Sequence, residues 1–180
     1  KGEDNRSFAI KVGKERNIQA TFHGDGTFED RKEIISSQRV FDSDWHHVLV
    51  TYDGNKDKIK IYINGKEDKD AKVKKRSNFT TLFNSSAPLS FAATGDGTKV
   101  YNGFLDEVVI YNKPLNATHA KKLSNPKLLI RNSSFSNLAI HWWRMGDNEN
   151  GTGTTITDQG SVGVDATLQN QASFSSDVPS

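Results

Sequence analysis

The sequence predicts an all-β protein of half-buried antiparallel sheet, with one short helix near 117–123. Three features predict it. Lys58 to Ile63 alternates lysine or tyrosine with Ile59, Ile61 and Ile63, and a period of two sends the isoleucines to one face of a strand. Trp45 to Tyr52 is dense in aromatic and β-branched residues and ends on Asp53-Gly54, as the isoleucine run ends on Asn64-Gly65. Both dipeptides supply the positive backbone angles of tight hairpin turns. A chain that is 34% hydrophobic with 14 glycines suits a sheet protein with many turns.

The remaining elements follow in order. Phe8, Ile10 and Val12 share one side of a strand over 7–12, and Ile18, Ala20 and Phe22 one side of a strand over 17–22. Gly24-Asp25-Gly26-Thr27 turns the chain into a short strand over 32–36, and Asp42-Ser43-Asp44 leads to Trp45. Lys66 to Arg76 holds six basic and three acidic residues. It reads as a solvated strand and loop whose lysines discourage edge pairing, and the interleaved acids weigh against a patch for an anionic glycan. Pro88 to Ala93 reads as a further strand, and Gly103 to Tyr111 as the last strongly patterned one. Asn116 caps a helix over 117–123 whose C-terminal lysines suit its dipole, and Asn125-Pro126 stops it.

Composition excludes several classes. At 180 residues the chain fits one sandwich with a sizeable core. A net charge of +2 argues against electrostatically driven nucleic-acid binding. The absence of cysteine removes disulfides, thiolate metal sites and thiol nucleophiles, and favours a bacterial or viral source over a small secreted animal domain. No stretch approaches the length of a membrane span, and the N-terminal KGEDNRSFAI lacks the apolar core of a signal peptide.

Four pieces in order carry a family resemblance. Trp45, His47, Val48, Thr51, Tyr52, Asp53 and Gly54, then IYING at 61–65, then GFLDEVVIYNKPLNATHAKKL at 103–123, resemble the laminin-G-like branch of the concanavalin A-like lectin/glucanase superfamily. That branch runs W-x-H-V, a Tyr-Asp-Gly turn, a strand closed by a short glycine turn, and a late G-x-x-D-E-V-x-I-Y strand with a small helix. The resemblance implies an antiparallel β-sandwich of jelly-roll type with a laminin-G-like block over 1–126; it does not imply a function, because widely reused sandwiches host many. Leu138 to Arg144, then Met145-Gly146-Asp147, then Thr154 to Asn170 resemble the opening strands of such a module. Segment 127–180 thus carries the usual first part after the usual last part. It begins the next unit of a tandem array, or folds back to complete the same sandwich, whose termini tend to lie close together. Either way the chain reads as a piece of a longer modular polypeptide. The combination, with WWRMGD, is similar to repeats in structural and fibre proteins of marine bacteriophages.

Each candidate site has a plain structural alternative. A glucanase of this superfamily would place E-x-D-x-x-E on one strand so that its carboxylates meet at one sugar. Here Glu29-Asp30, Glu67-Asp68 and Asp106-Glu107 are adjacent pairs whose side chains point apart in a strand, so an enzyme is not expected. His46 and His47 are likewise neighbours, with His47 expected as a hydrogen-bonded core residue and His46 at the surface. Calcium is the candidate cofactor implied by the resemblance, since hard cations take carboxylate and carbonyl oxygens. Its candidate ligands are Asp106, at the D-E-V position, and Asp96, in the glycine turn before it; alternatively Asp96 occupies a hairpin turn and Asp106 bonds to backbone. Asp53, Asn55 and Asp57 mimic the start of an EF-hand loop, but Lys58 and Asn64 stand where glycine and glutamate belong, so a turn is expected. Trp142 and Trp143 are candidates for stacking on a sugar; on a strand one points outward and the other into the core. Six N-x-S/T sequons, at Asn5, Asn78, Asn84, Asn116, Asn132 and Asn150, exceed chance in an Asn-rich and Ser-rich chain.

The expected role is a non-catalytic carbohydrate-recognition or adhesion module of a larger virion or extracellular surface protein. Expected partners are a cell-surface or extracellular glycan or other virion proteins, with no nucleic acid, no membrane insertion, and an oligomer allowed. A purely structural or decoration module and a glycoside hydrolase of the glucanase type are the alternatives.

Overall fold

The computed structural model describes residues 5–75, 77–94, 99–128, 130, 134–147 and 150–179. The strands are β1 (Phe8–Val12), β2 (Asn17–His23), β3 (Arg31–Arg39), β4 (Val48–Asp53), β5 (Lys58–Ile63), β6 (Lys66–Glu67), β7 (Lys72–Lys75), β8 (Val108–Tyr111), β9 (Ala139–Trp143), β10 (Thr155–Ile156) and β11 (Ala166–Thr167), with helix α1 at Ala117–Leu123. They form antiparallel sheets in the orders β1-β2-β3-β7, β4-β5-β6, β8-β9 and β10-β11. The chain is therefore all-β with one short helix. No sheet closes into the expected jelly-roll barrel among the described residues. β1 and β7 remain edges of the first sheet, and β8 finds its partner in β9. The chain groups into two compact units, Lys1–Leu89 with Pro114–Ser124, and Ser90–Lys113 with Asn125–Ser180.

In the first unit two sheets share one apolar core. Alternation sends Ile18, Ala20 and Phe22 of β2 and Ile34 of β3 inward against Ile59, Ile61 and Ile63 of β5, all 0–7% exposed. Burying each large side chain contributes roughly 1.5–3 kcal/mol, so the predicted isoleucine face supplies much of the stabilisation. The opposite face of β5 is covered as well, with Tyr62 only 1% exposed. Asn64 and Gly65, at φ 49° and 78°, make the predicted tight turn into β6. The β4–β5 turn differs from expectation, since Asp57 takes the positive angle, at φ 50°. Gly54 is required there by close approach: a Cβ would lie 1.7 Å from the Thr80 carbonyl oxygen.

Lys32 also faces inward from β3 and is 1% exposed. Its ammonium donates to Asp57 Oδ1 at 2.5 Å and to the Phe79 carbonyl at 2.8 Å, and lies 4.3 Å from the centre of the Phe79 ring. Tyr52 donates its hydroxyl to the same carbonyl at 2.7 Å. A buried charge is tolerable when paired and bonded in this way. Helix α1 spans the predicted residues. Asn116 Oδ1 accepts from the His119 amide at 3.0 Å, and His119 Nδ1 accepts from the Asn116 amide at 3.2 Å, a reciprocal cap. Lys121 and Lys122 occupy the last turn.

In the second unit β8 pairs with β9, Val108 opposite Trp143 and Val109 opposite Trp142. The late family strand thus runs beside the aromatic segment. The predicted strand from Gly103 begins only at Val108, because Glu107 sits at φ 49°, outside strand geometry. Residues 88–93 form no strand; Pro88 has no amide to donate and Ala92 adopts φ 58°. Trp45, His46 and His47 precede β4 rather than lying in it.

Replacing Gly54 by alanine drives a methyl group into backbone, so the 77–83 segment must move. G54A is expected to lower unfolding stability by about 2–3 kcal/mol, read as a lower urea midpoint at unchanged m-value.

Candidate functional site

A groove of about 500 Å³ opens at one end of the four-stranded sheet, lined by Glu15, Asn17, Ile35, Ser36, Ser37, Arg39, Lys72 and Lys74. Its origin is a break in strand register. Gln19 pairs with Ile35 but Asn17 pairs with Arg39, so β3 carries extra residues and bulges. The amide of Ile18, left without a ladder partner, donates instead to Ser36 Oγ at 2.9 Å, and that hydroxyl donates to the Gln38 carbonyl at 2.7 Å. Buried Asp68 holds the bulge from the β6–β7 connection, accepting from the Ser37 amide at 2.7 Å and its hydroxyl at 2.6 Å. The groove is therefore fixed by side-chain bonds.

Its charge is uneven. Lys74 stands opposite Glu33 and Lys72 opposite Ile35, while Arg39 lies one step further along β3. Among the described residues no ion pair engages Arg39, Lys72 or Lys74. Of the three acids that interleave these lysines in the sequence, Glu67 turns to Lys60 at 2.8 Å and Asp68 into the bulge, while Asp70 is exposed. Glu33 is buried 3.6 Å from Arg31, and Glu15 is the carboxylate among the lining residues.

A second depression, of about 660 Å³, is acidic and lined by Asp25, Thr27, Glu29, Asp30 and Ser77. Within it Asp25 Oδ1 accepts from the Thr27 amide and hydroxyl, both at 2.8 Å. These bonds hold the Asp25 carboxyl below its ordinary value, as expected for the Gly-Asp-Gly-Thr turn.

Of the two calcium candidates only Asp106 is among the described residues; Asp96 lies outside them. Asp106 is half-buried, and its Oδ1 accepts from the Glu107 amide at 2.9 Å. Burial, then the neighbouring Glu107 and Asp147, push its carboxyl up to about 6. Glu107 is engaged by protein donors, the Trp142 indole N–H and Arg144 Nε at 3.1 Å, and Arg144 also binds Asp147. Among the described residues no three acidic or imidazole groups converge as a metal cage.

Both candidate tryptophans are buried, Trp142 at 4% and Trp143 at 3% exposure; the expectation that one of them points outward fails because β9 is covered on both faces. Trp143 donates to the Val164 carbonyl at 3.0 Å and packs between Phe91, at 4.9 Å, and His141, at 5.0 Å. Asp158 is the hub of this region. Its buried carboxylate accepts from the amides of Trp142, Gly160 and Val164 at 2.8–2.9 Å and binds His141 Nδ1 at 2.6 Å. Burial opposes its charge, yet these donors hold its carboxyl below the usual range.

His47 departs from expectation. Its backbone pairs with Asn64, but buried Nδ1 has no hydrogen-bond partner among the described residues, and burial lowers its pKa. His46 instead bonds Asp42 at 2.9 Å and accepts from Asn64 at 3.1 Å. Of the sequons, Asn5 is bonded to Ser85 and Ser86, Asn116 caps α1, Asn78, Asn84 and Asn150 are exposed, and Asn132 lies outside the described residues.

Sequence reasoning missed the groove. Its one local signal was Ile34-Ile35 followed by Ser36-Ser37, a lapse in strict alternation. Asp68 stands 31 residues from Ser37, beyond any local pattern.

Stacked sheets with an open, bulge-framed groove place the chain among the antiparallel β-sandwich modules. A laminin-G sequence family described as the concanavalin A-like lectin/glucanases superfamily matches residues 1–121, and the chain belongs to it. No curated protein sequence matches the chain. Among solved structures it is similar to the crystal structure of an S-layer domain-containing protein (residues 221–444) from Clostridium thermocellum, at 20% identity and a TM-score of 0.34. That match covers 69% of this chain and 58% of that one. No helix among the described residues is long and apolar enough to cross a membrane.

A carboxyl whose folded pKa lies above its unfolded value stabilises the fold fully below about pH 4, and the benefit fades as pH rises through 6. Unfolding followed by tryptophan fluorescence should show a gain of about 1–2 kcal/mol on moving from neutral pH to about 4.5, with solvent screening of a half-exposed group allowed for. D106N should remove that slope.

Proposed function

We propose that the chain is a non-catalytic carbohydrate-recognition and adhesion module of a larger extracellular or surface protein. The observation that carries this reading is the groove at the β3 bulge, whose lining combines the cationic Arg39, Lys72 and Lys74 and the amide of Asn17 with the apolar Ile35. Binding sites for polar ligands combine such an apolar surface with a few placed polar groups. Glycoside hydrolysis needs two carboxyl groups facing one bond, roughly 5–9.5 Å apart. The β3 groove offers Glu15 alone, and Glu67 and Asp68 turn to different partners; Asp25, Glu29 and Asp30 line the second depression together, so that depression is where the hydrolase alternative is tested.

Membership of a superfamily named for lectins and glucanases supports a carbohydrate partner. A virion surface is the narrower setting suggested by the likeness of the WWRMGD region to phage structural repeats. Calcium enters this reading as a candidate cofactor through Asp96 and Asp106.

Affinity electrophoresis through gels containing soluble polysaccharides, with and without EDTA, tests the reading. Retardation by at least one polysaccharide without release of reducing ends is expected, and loss of retardation in EDTA would assign calcium a part. Release of reducing ends would make the protein a hydrolase, and no retardation under either condition would leave a structural spacer.

A further inference from the structure

We infer that the groove at the β3 bulge takes an acidic linear polysaccharide, whose carboxylate or sulfate groups are met in succession by Lys74, Lys72 and Arg39. The inference rests on the carbohydrate reading above and narrows it to a ligand class.

The geometry is that of a ladder. Lys72 and Lys74 are two residues apart on β7 and point to the same side of the sheet, about 7 Å from one another. The bulge displaces Arg39 to the level of Asn17, one further step along the neighbouring strand. Three positive groups therefore follow the strand direction along one wall. All three side chains are exposed or line open space, and none is neutralised within the protein among the described residues. Their counter-charges are committed elsewhere: Glu67 holds Lys60, Asp68 holds the bulge, and Asp57 holds Lys32 and Lys75. With Glu15 the one carboxylate among the lining residues, the three cations leave the groove net positive, which complements a chain with repeated negative groups.

Two features favour a sugar polymer over a bare anion. Ile35 supplies an apolar surface beside the cations and Asn17 a side-chain amide, while the Ser36 and Ser37 hydroxyls are spent on the bulge. An apolar surface beside a placed amide suits a polyhydroxylated ligand. The net charge of only +2 also means that a polyanion would be held by this local cluster rather than by the whole surface.

The test compares polygalacturonate, dextran sulfate and neutral dextran as ligands for the intact chain and for two variants. One is R39Q/K72Q/K74Q; the other, K113Q/K121Q/K122Q, removes the same charge away from the groove. The expected result is retention by polygalacturonate or dextran sulfate, with a preference between them separating carboxylate from sulfate recognition. Affinity should weaken at least tenfold in the groove variant, change little in the control variant, and fall with added salt. Equal losses in both variants would overturn the inference, because the binding would then follow net charge. Retention by neutral dextran that is unaffected in the groove variant would overturn it while leaving the carbohydrate reading intact. Failure of all three polymers to bind would remove both. An unchanged thermal midpoint in each variant confirms that folding is not the cause.

Discussion

A single ammonium group set against the sandwich core organises much of the first unit. Lys32 reaches from β3 into apolar surroundings and is held there by Asp57 from the β4–β5 turn and by the carbonyl of Phe79. Because a buried cation without partners would cost several kcal/mol, the turn and the 77–83 segment are both fixed in place around it. Thr80 can then lie directly on Gly54, and beside the charge the Tyr52 ring stacks on Phe22 and meets Phe79 at a tilt. Two connections are tied to the sheet by one side chain.

The second unit follows the same principle with the opposite sign. Asp158 brings three amides and an imidazole onto one buried carboxylate, and the chain from 158 to 165 is thereby held beside β9. Glu107 plays a related part at the start of β8, joining Trp142 to Arg144. In both units irregular backbone is positioned by a charged group satisfied from several directions.

The fold was legible wherever short-range periodicity decided it. The isoleucines of β5, the Asn64-Gly65 turn and helix α1 each follow from neighbouring residues alone. Residues 88–93 misled because an apolar alternation is not a strand without a partner to pair with. Trp142 and Trp143 misled because alternation predicts opposite faces but does not say that both faces are covered. The groove was hidden for a third reason. Its shape depends on a register break between β2 and β3 and on Asp68 reaching across from another connection, and its charge depends on which acids turn away. Composition alone set three acidic residues among six basic ones; the pairing of Glu67 and the burial of Asp68 remove two of the three.

The position of Lys72 and Lys74 on β7 adds a further constraint. β7 is the last strand of its sheet, and its unpaired backbone edge is open to any incoming extended chain. Lysines on such a strand repel a second copy and keep the sheet from growing sideways into fibrils. The two side chains that would grip a polymer therefore also guard against self-association. Drift at either position would trade recognition against solubility, and a homologue that lost both would need a proline, another bulge or a covering loop to stay monodisperse.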